Sequence, residues 1–250
     1  MVGREGLLYI TILWRYPQGM HSKQKVAVFD IDGTIFRSSL LFELVEGLIR
    51  EKVFPKTARL LYQEQWKKWQ DRASDSGYDD FIGGVIKAYH KYIKGVRRSE
   101  VWKVADGVIE VQKRHTYRWT RDLVEKLRKD YFMLAISHSP FEMVTPFAQA
   151  MGFDKIYAMV YEVDKEVKFT GNILYEDIIL NKDKTLRRAV EKENLSLKGS
   201  IGVGDTESDI PMLKLVSKPI AFNPSSKLHN YARKKDWEVV VERKDVVYKM

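Results

Sequence analysis

The sequence predicts an α/β protein, a doubly wound parallel sheet with an all-helical domain inserted after its first strand. Three observations lead there. Short, nearly continuous apolar runs alternate with amphipathic helical stretches, as expected of strands covered by helices on both faces. Small and acidic residues follow several of those runs, where parallel strands end side by side. About 95 residues of helical texture separate the first run from the second, whereas a crossover needs only about a dozen.

"VAVFD" (26–30) reads as the first strand, ended by a glycine turn. "YFMLAIS" (131–137) is the second, preceded by the amphipathic helix "RDLVEKLRKD". "KIYAMVYEV" (155–163) follows a helix around "EMVTPFAQAMG" that stops at Gly152. "SIGVGD" (200–205) follows the helix "KTLRRAVEKEN", and "PIAFN" (219–223) and "WEVVVE" (237–242) complete the sheet. "VKFTGNILY" (167–175) is expected to be a separate small hairpin with Gly171-Asn172 at its turn.

The domains expected are a core of residues 23–37 and 116–250, a helical cap of 38–115, and an appendage of 1–22. The cap leaves the first strand at its carboxyl end, where open α/β sheets bind ligands. It carries 17 Lys and Arg against 11 Asp and Glu over residues 37–118, a large share of the net charge of +9. That balance favours anionic partners such as phosphorylated small molecules; nucleic acid is not expected, although the charge permits it. Its aromatics Trp66, Trp69, Tyr89, Tyr92 and Trp102 are spaced as helix-packing residues. "KGVRR" (94–98) reads as a solvated face.

Composition narrows the chemistry. A chain of 250 residues that is 44% hydrophobic can bury a normal core. With no cysteine, disulfides, thiolate metal sites and cysteine nucleophiles are excluded, and a cytoplasmic location is expected. The apolar run "LLYITILW" near the N-terminus is too short to span a membrane and lacks a convincing cleavage site. Met20, followed by a polar, basic lead into the first strand, reads as the true start.

"DIDGT" (30–34), "SHS" (137–139) and "GDTESD" (204–209) all fall at strand ends. They would gather Asp30, Asp32, Ser137, Asp205 and Asp209. Carboxylates this close repel one another, and an oxygen-only donor set with no His or Cys suits a hard cation, Mg²⁺. A calcium loop is the competing reading. It fails in "DIDGT" because Ile35 and Leu41 stand where Gly and a bidentate Glu belong, and in "GDTESD" at Ile210 and Val216.

Together with a serine after the second strand and a downstream lysine, these motifs resemble those of the haloacid dehalogenase-like (HAD) hydrolase superfamily. The helical insertion is similar to the C1-type cap of its phosphoserine phosphatase-like subfamily, IB. The resemblance covers roughly residues 24–245. It implies a Rossmann-like core and a Mg²⁺-dependent phosphomonoester hydrolase acting on a small phosphorylated metabolite or lipid head group.

By that resemblance Asp30 is the nucleophile and Asp32 the general acid and base. Asp30, the backbone carbonyl of Asp32, Asp205 and Asp209 hold Mg²⁺. Ser137 and the amides around Gly33 and Thr34 bind phosphoryl oxygens. Lys182, with Lys184 as the alternative, neutralises the transferring group. His138 is expected to line the pocket or face solvent, and Ser139 to cap the following helix. Phosphoserine itself is not expected as substrate. The glutamate that meets its amino group in the family falls here at Ser39, and Glu43 and Glu46 lie a turn or two further on. The competing functions are phosphotransfer at the same site, or polyanion or membrane-surface binding through the basic cap with an inactive core.

Overall fold

The computed structural model describes residues 23–72 and 77–250; the expected appendage, 1–22, lies outside them. One eight-stranded sheet runs in the order β4-β3-β2-β1-β5-β6-β7-β8. Its strands are β1 (Lys25–Phe29), β2 (Phe132–Pro140), β3 (Lys155–Val163), β4 (Phe169–Leu174), β5 (Ser196–Gly204), β6 (Lys218–Phe222), β7 (Glu238–Arg243) and β8 (Val246–Lys249). From β3 through β7 all neighbours are parallel, and β4 and β8 close the edges antiparallel.

Strand alternation sorts the core. Ala27, Phe29, Met133 and Ala135 pack on one face, against α1 (Leu40–Arg50), α3 (Gly77–Ile93), α4 (Arg98–Gln112), α5 (Arg118–Leu127) and α6 (Phe141–Ala150). Val26, Val28, Leu134 and Ile136 pack on the other, against α8 (Lys182–Lys192), which follows the short α7 (Glu176–Ile179), and against α9 (Ile210–Leu213) and α10 (Ser226–Lys234). Both faces of β1 are thus dry, which is why its sequence shows no polar alternation.

The insertion between β1 and α5 is helical throughout its described residues: α1, a 3₁₀ turn at Lys56–Leu61, α2 (Gln63–Gln70), α3 and α4. Ser39 caps α1, its hydroxyl accepting from Phe42 N–H at 3.4 Å. The insertion is tied to the sheet edge at its far end. Gly95 N–H donates to Phe169 O, Phe169 N–H to Val96 O and Arg98 N–H to Val167 O, at 2.8–3.0 Å. The Arg98 guanidinium also meets the buried Glu142 carboxylate of α6 at 2.7 Å. The backbone of "KGVRR" and Arg98 therefore dock on the core, while Lys94 and Arg97 stay exposed as expected of a solvated face.

Two expectations are corrected. Residues 167–175 are not a hairpin of their own: β4 pairs with β3, and the turn lies at 164–168. Asp164 Oδ1 accepts there from Glu166 and Lys168 N–H, and Val167 takes a left-handed φ of 59°. Gly171-Asn172 sits inside the strand. Second, Ser139 does not cap α6. Pro140 holds that position, and the Ser139 hydroxyl accepts from Leu41 N–H of α1 at 3.2 Å.

Candidate active site

Asp30 leaves the central strand with its amide still in the ladder, donating to Val203 O at 3.0 Å. The chain then folds on itself: Ile35 and Phe36 N–H both donate to Ile31 O, and Gly33 N–H to Phe36 O. Gly33 has φ +79°, and a Cβ there would stand 2.1 Å from Asp205 Oδ2. Glycine is therefore required for both the turn and the close approach of the β5 loop. Asp205 follows β5 directly, accepting from the Thr34 hydroxyl at 3.2 Å. Asp209 is held by the 205–206 amides, which donate to its Oδ2 at 3.0 Å.

Asp30, Asp205 and Asp209 each offer a carboxylate oxygen within 4.8 Å of the others'. Lys182, at the first turn of α8, lies between two of them: its ammonium is 2.5 Å from Asp30 Oδ1 and from Asp209 Oδ1. Lys182 is 2% exposed, whereas Lys184 lies on the exposed side of α8. Helix phase places Lys182 with the inward Thr185, Leu186 and Ala189. Asp30 Oδ2 is buried and unpartnered.

Asp32 points the other way. Its Oδ2 accepts from the Ser137 hydroxyl at 2.8 Å and its Oδ1 from Leu40 N–H at 2.5 Å. The cap helix thus reaches into the site through its first amides, a contribution that sequence reading missed. Its signal was Ser39, the N-cap that aims those amides. The side chain of Asp32 stands outside the three-carboxylate cluster. Ser137 Oγ also accepts from Ser139 N–H at 3.0 Å. The Gly33 and Thr34 amides, expected to face a phosphoryl group, here donate to carbonyls of their own turn.

The electrostatics follow from burial and crowding. Burial, opposed by the Lys182 ammonium and reinforced by Asp209 and Asp32, pushes the Asp30 carboxyl up to about 7. Burial, then the Asp30 and Asp209 charges, hold Asp205 well above the usual carboxylate range. Asp32 is also raised by burial, with the Leu40 and Ser137 hydrogen bonds opposing. Burial alone would lower Lys182, but Asp209 and Asp30 outweigh it and raise it. His138 is brought down to about 4, first by burial and then by the Lys182 charge. It is neutral at pH 7, with Nε2 buried and unpartnered. Three crowded carboxylates, one carrying an orphaned oxygen, match the donor set of a hard divalent cation.

The fold is of the α/β class, with a carboxylate cluster at the carboxyl edge of its parallel sheet. The family model for haloacid dehalogenase-like hydrolase matches residues 27–214, and the chain belongs to that family. It is 26% identical over 216 residues to "Phosphoserine phosphatase SerB1" of Mycobacterium tuberculosis (strain ATCC 25618 / H37Rv), covering 85% of this chain and 69% of that protein. A substrate-bound phosphoserine phosphatase structure superposes with a TM-score of 0.59 at 21% identity, over 90% of this chain and 96% of that one. A protein of unknown function from Bordetella pertussis Tohama I gives 0.68 at 19% identity, over 87% and 98%. The chain is thus an enzyme of the haloacid dehalogenase-like hydrolase family, and it is similar to proteins named phosphoserine phosphatase. Among the described residues no helix is long and apolar enough to cross a membrane.

Proposed function

We propose that the protein is a Mg²⁺-dependent phosphomonoester hydrolase that works through an aspartyl-phosphate on Asp30. The observation that carries this reading is the state of Asp30: one oxygen is clamped by Lys182 and the other is buried and unpartnered. That free oxygen is the nucleophile. It attacks phosphorus, the bond from phosphorus to the ester oxygen breaks, and Asp32 gives a proton to that departing oxygen, which leaves as the alcohol. Asp32 then takes a proton from water, which attacks the acyl phosphate, releases inorganic phosphate and restores Asp30.

Asp30, the Asp32 carbonyl, Asp205 and Asp209 would hold Mg²⁺, which when bound supplies charge stabilisation to phosphoryl oxygens. Lys182 neutralises the same developing charge while keeping Asp30 aimed. Ser137 serves first by orienting Asp32. The helical insertion, 38–115, selects the substrate, a small phosphorylated compound. We place the enzyme in the cytoplasm, in keeping with a chain free of cysteine.

Phosphate release from a panel of phosphomonoesters, with and without Mg²⁺, tests the reading. Release that needs Mg²⁺ and disappears in Asp30→Asn supports it. Polyanion binding indifferent to Asp30→Asn, with no release from any ester, would move the protein to the binding class.

A further inference from the structure

The identity of the leaving group can be narrowed on the same reading. The first turn of α1 stands over the acids: Leu40 N–H holds Asp32 and Leu41 N–H holds Ser139. Leu40 and Leu41 turn into the core, so the partly open side of this turn is presented by Phe42 and Glu43.

Phe42 begins an aromatic cluster. Its ring lies 5.1 Å from Phe81 and 6.1 Å from Trp66, Phe81 stacks on Trp69 at 5.6 Å and 4°, and Trp69 lies 5.4 Å from Tyr78. Tyr78 is near enough to the site that, after burial, the charges of Asp32, Asp205 and Asp30 help keep its phenol protonated. At the outer end Trp69 and Trp66 remain 41% and 38% exposed, and α2, which carries both, buries none of its residues. Core filling accounts for Tyr89, which is fully buried, but not for this open aromatic surface.

The acids of α1 are meanwhile engaged. Glu46 takes the Arg59 guanidinium and the Tyr62 hydroxyl, and Glu43 accepts from the Gln112 side chain at 3.3 Å. Ser39 is spent on the helix cap. A leaving group carrying an ammonium would have to displace one of these partners. A cage for a quaternary ammonium is also disfavoured, because Trp69 and Phe81 lie parallel and offset rather than splaying around a cavity.

We infer that the substrate is a phosphomonoester whose alcohol carries a flat apolar group, which lies against Phe42, Tyr78 and Trp69 while its phosphate meets Asp30 and Lys182. Stacking of this kind is tolerant of ring identity, so the class is set by shape and lack of charge.

The test compares kcat/KM for 2-phenylethyl phosphate, ethyl phosphate, O-phosphoserine and phosphocholine. All four release alkyl alcohols, so activated phenolic leaving groups do not distort the ranking. The expected result is 2-phenylethyl phosphate first by about tenfold or more over ethyl phosphate. Trp69→Ala, at an exposed position, should lower that advantage roughly three- to tenfold. Phe42→Leu provides a second variant with the same expected direction. Faster turnover of O-phosphoserine or phosphocholine, or an equal loss on all four esters in Trp69→Ala, would overturn the inference while leaving the phosphatase reading intact. No release from any ester would remove that reading, and this one with it.

Discussion

Asp30 and Lys182 form a buried pair, with Asp209 as the second carboxylate that keeps the ammonium charged. Lys182→Met removes a cation from between two carboxylates that are 5% and 0% exposed. Its expected effect is a fall in kcat of about a hundredfold or more, with folding retained if Mg²⁺ is supplied; steady-state kinetics and circular dichroism check both. His138 gives a second prediction. Its pKa drops from an ordinary 6.5 to about 4 on folding, so the folded state binds fewer protons. Its contribution to stability is complete above about 6.5 and is lost as pH falls towards 4, worth at most about 3 kcal/mol. Urea unfolding at pH 7 and pH 5 should show a smaller pH-dependent loss in His138→Gln than in the wild type. An identical loss in both would show that His138 is solvated.

At the scale of elements, α1 is both a packing helix and part of the site, because Ser39 starts it where Leu40 N–H reaches Asp32. Ser39→Ala should cost about 1 kcal/mol of stability and lower kcat more than it raises KM, since Asp32 loses its fixed position. Chemical denaturation and full Michaelis curves separate the two effects. Gly33→Ala is expected to be far worse: its Cβ would strike Asp205 and its φ of +79° would be strained. A variant of Gly33 with wild-type turnover would contradict the turn geometry.

How much of this was legible in the sequence varied element by element. Asp30 and Asp205 were readable because each ends an apolar run, and Asp32 and Asp209 because they lie two and four residues further along the same turns. Lys182 against Lys184 turned on helix phase, which needs the inward face to be known, and Thr185 and Leu186 define it. The β4 strand was misread because Gly171-Asn172 imitates a hairpin turn, while the real turn uses the Asp164 side chain and a valine with positive φ. The Ser139 to Leu41 bond and Tyr78 could not be read, since each depends on where the insertion lands over the sheet, and of the Leu40 contact only the N-cap Ser39 was visible.

On the scale of the whole molecule, insertion and core share one hydrophobic cluster, running from Ala27 and Phe29 through Leu44 and Tyr89 to Val104. At one junction sits the Arg98–Glu142 pair, with side chains 14% and 0% exposed. Burial raises the Glu142 carboxyl, against the pull of Arg98. Arg98→Met alone should destabilise the protein by about 3–5 kcal/mol, by leaving Glu142 uncompensated. The double replacement with Glu142→Met should recover most of that loss. A double-mutant cycle by urea unfolding reads the coupling directly, and additive losses would mean that the pair does not hold the insertion to the core.

The central claim is that Asp30 becomes phosphorylated during turnover. Acid quenching of the enzyme during turnover of a phosphomonoester with Mg²⁺, followed by peptide mass spectrometry, tests it most directly. The account predicts one phosphoryl group on the peptide containing Asp30, and neither phosphoryl group nor phosphate release in Asp30→Asn. Turnover that persists in Asp30→Asn, or a phosphoryl group trapped on another residue, would contradict it.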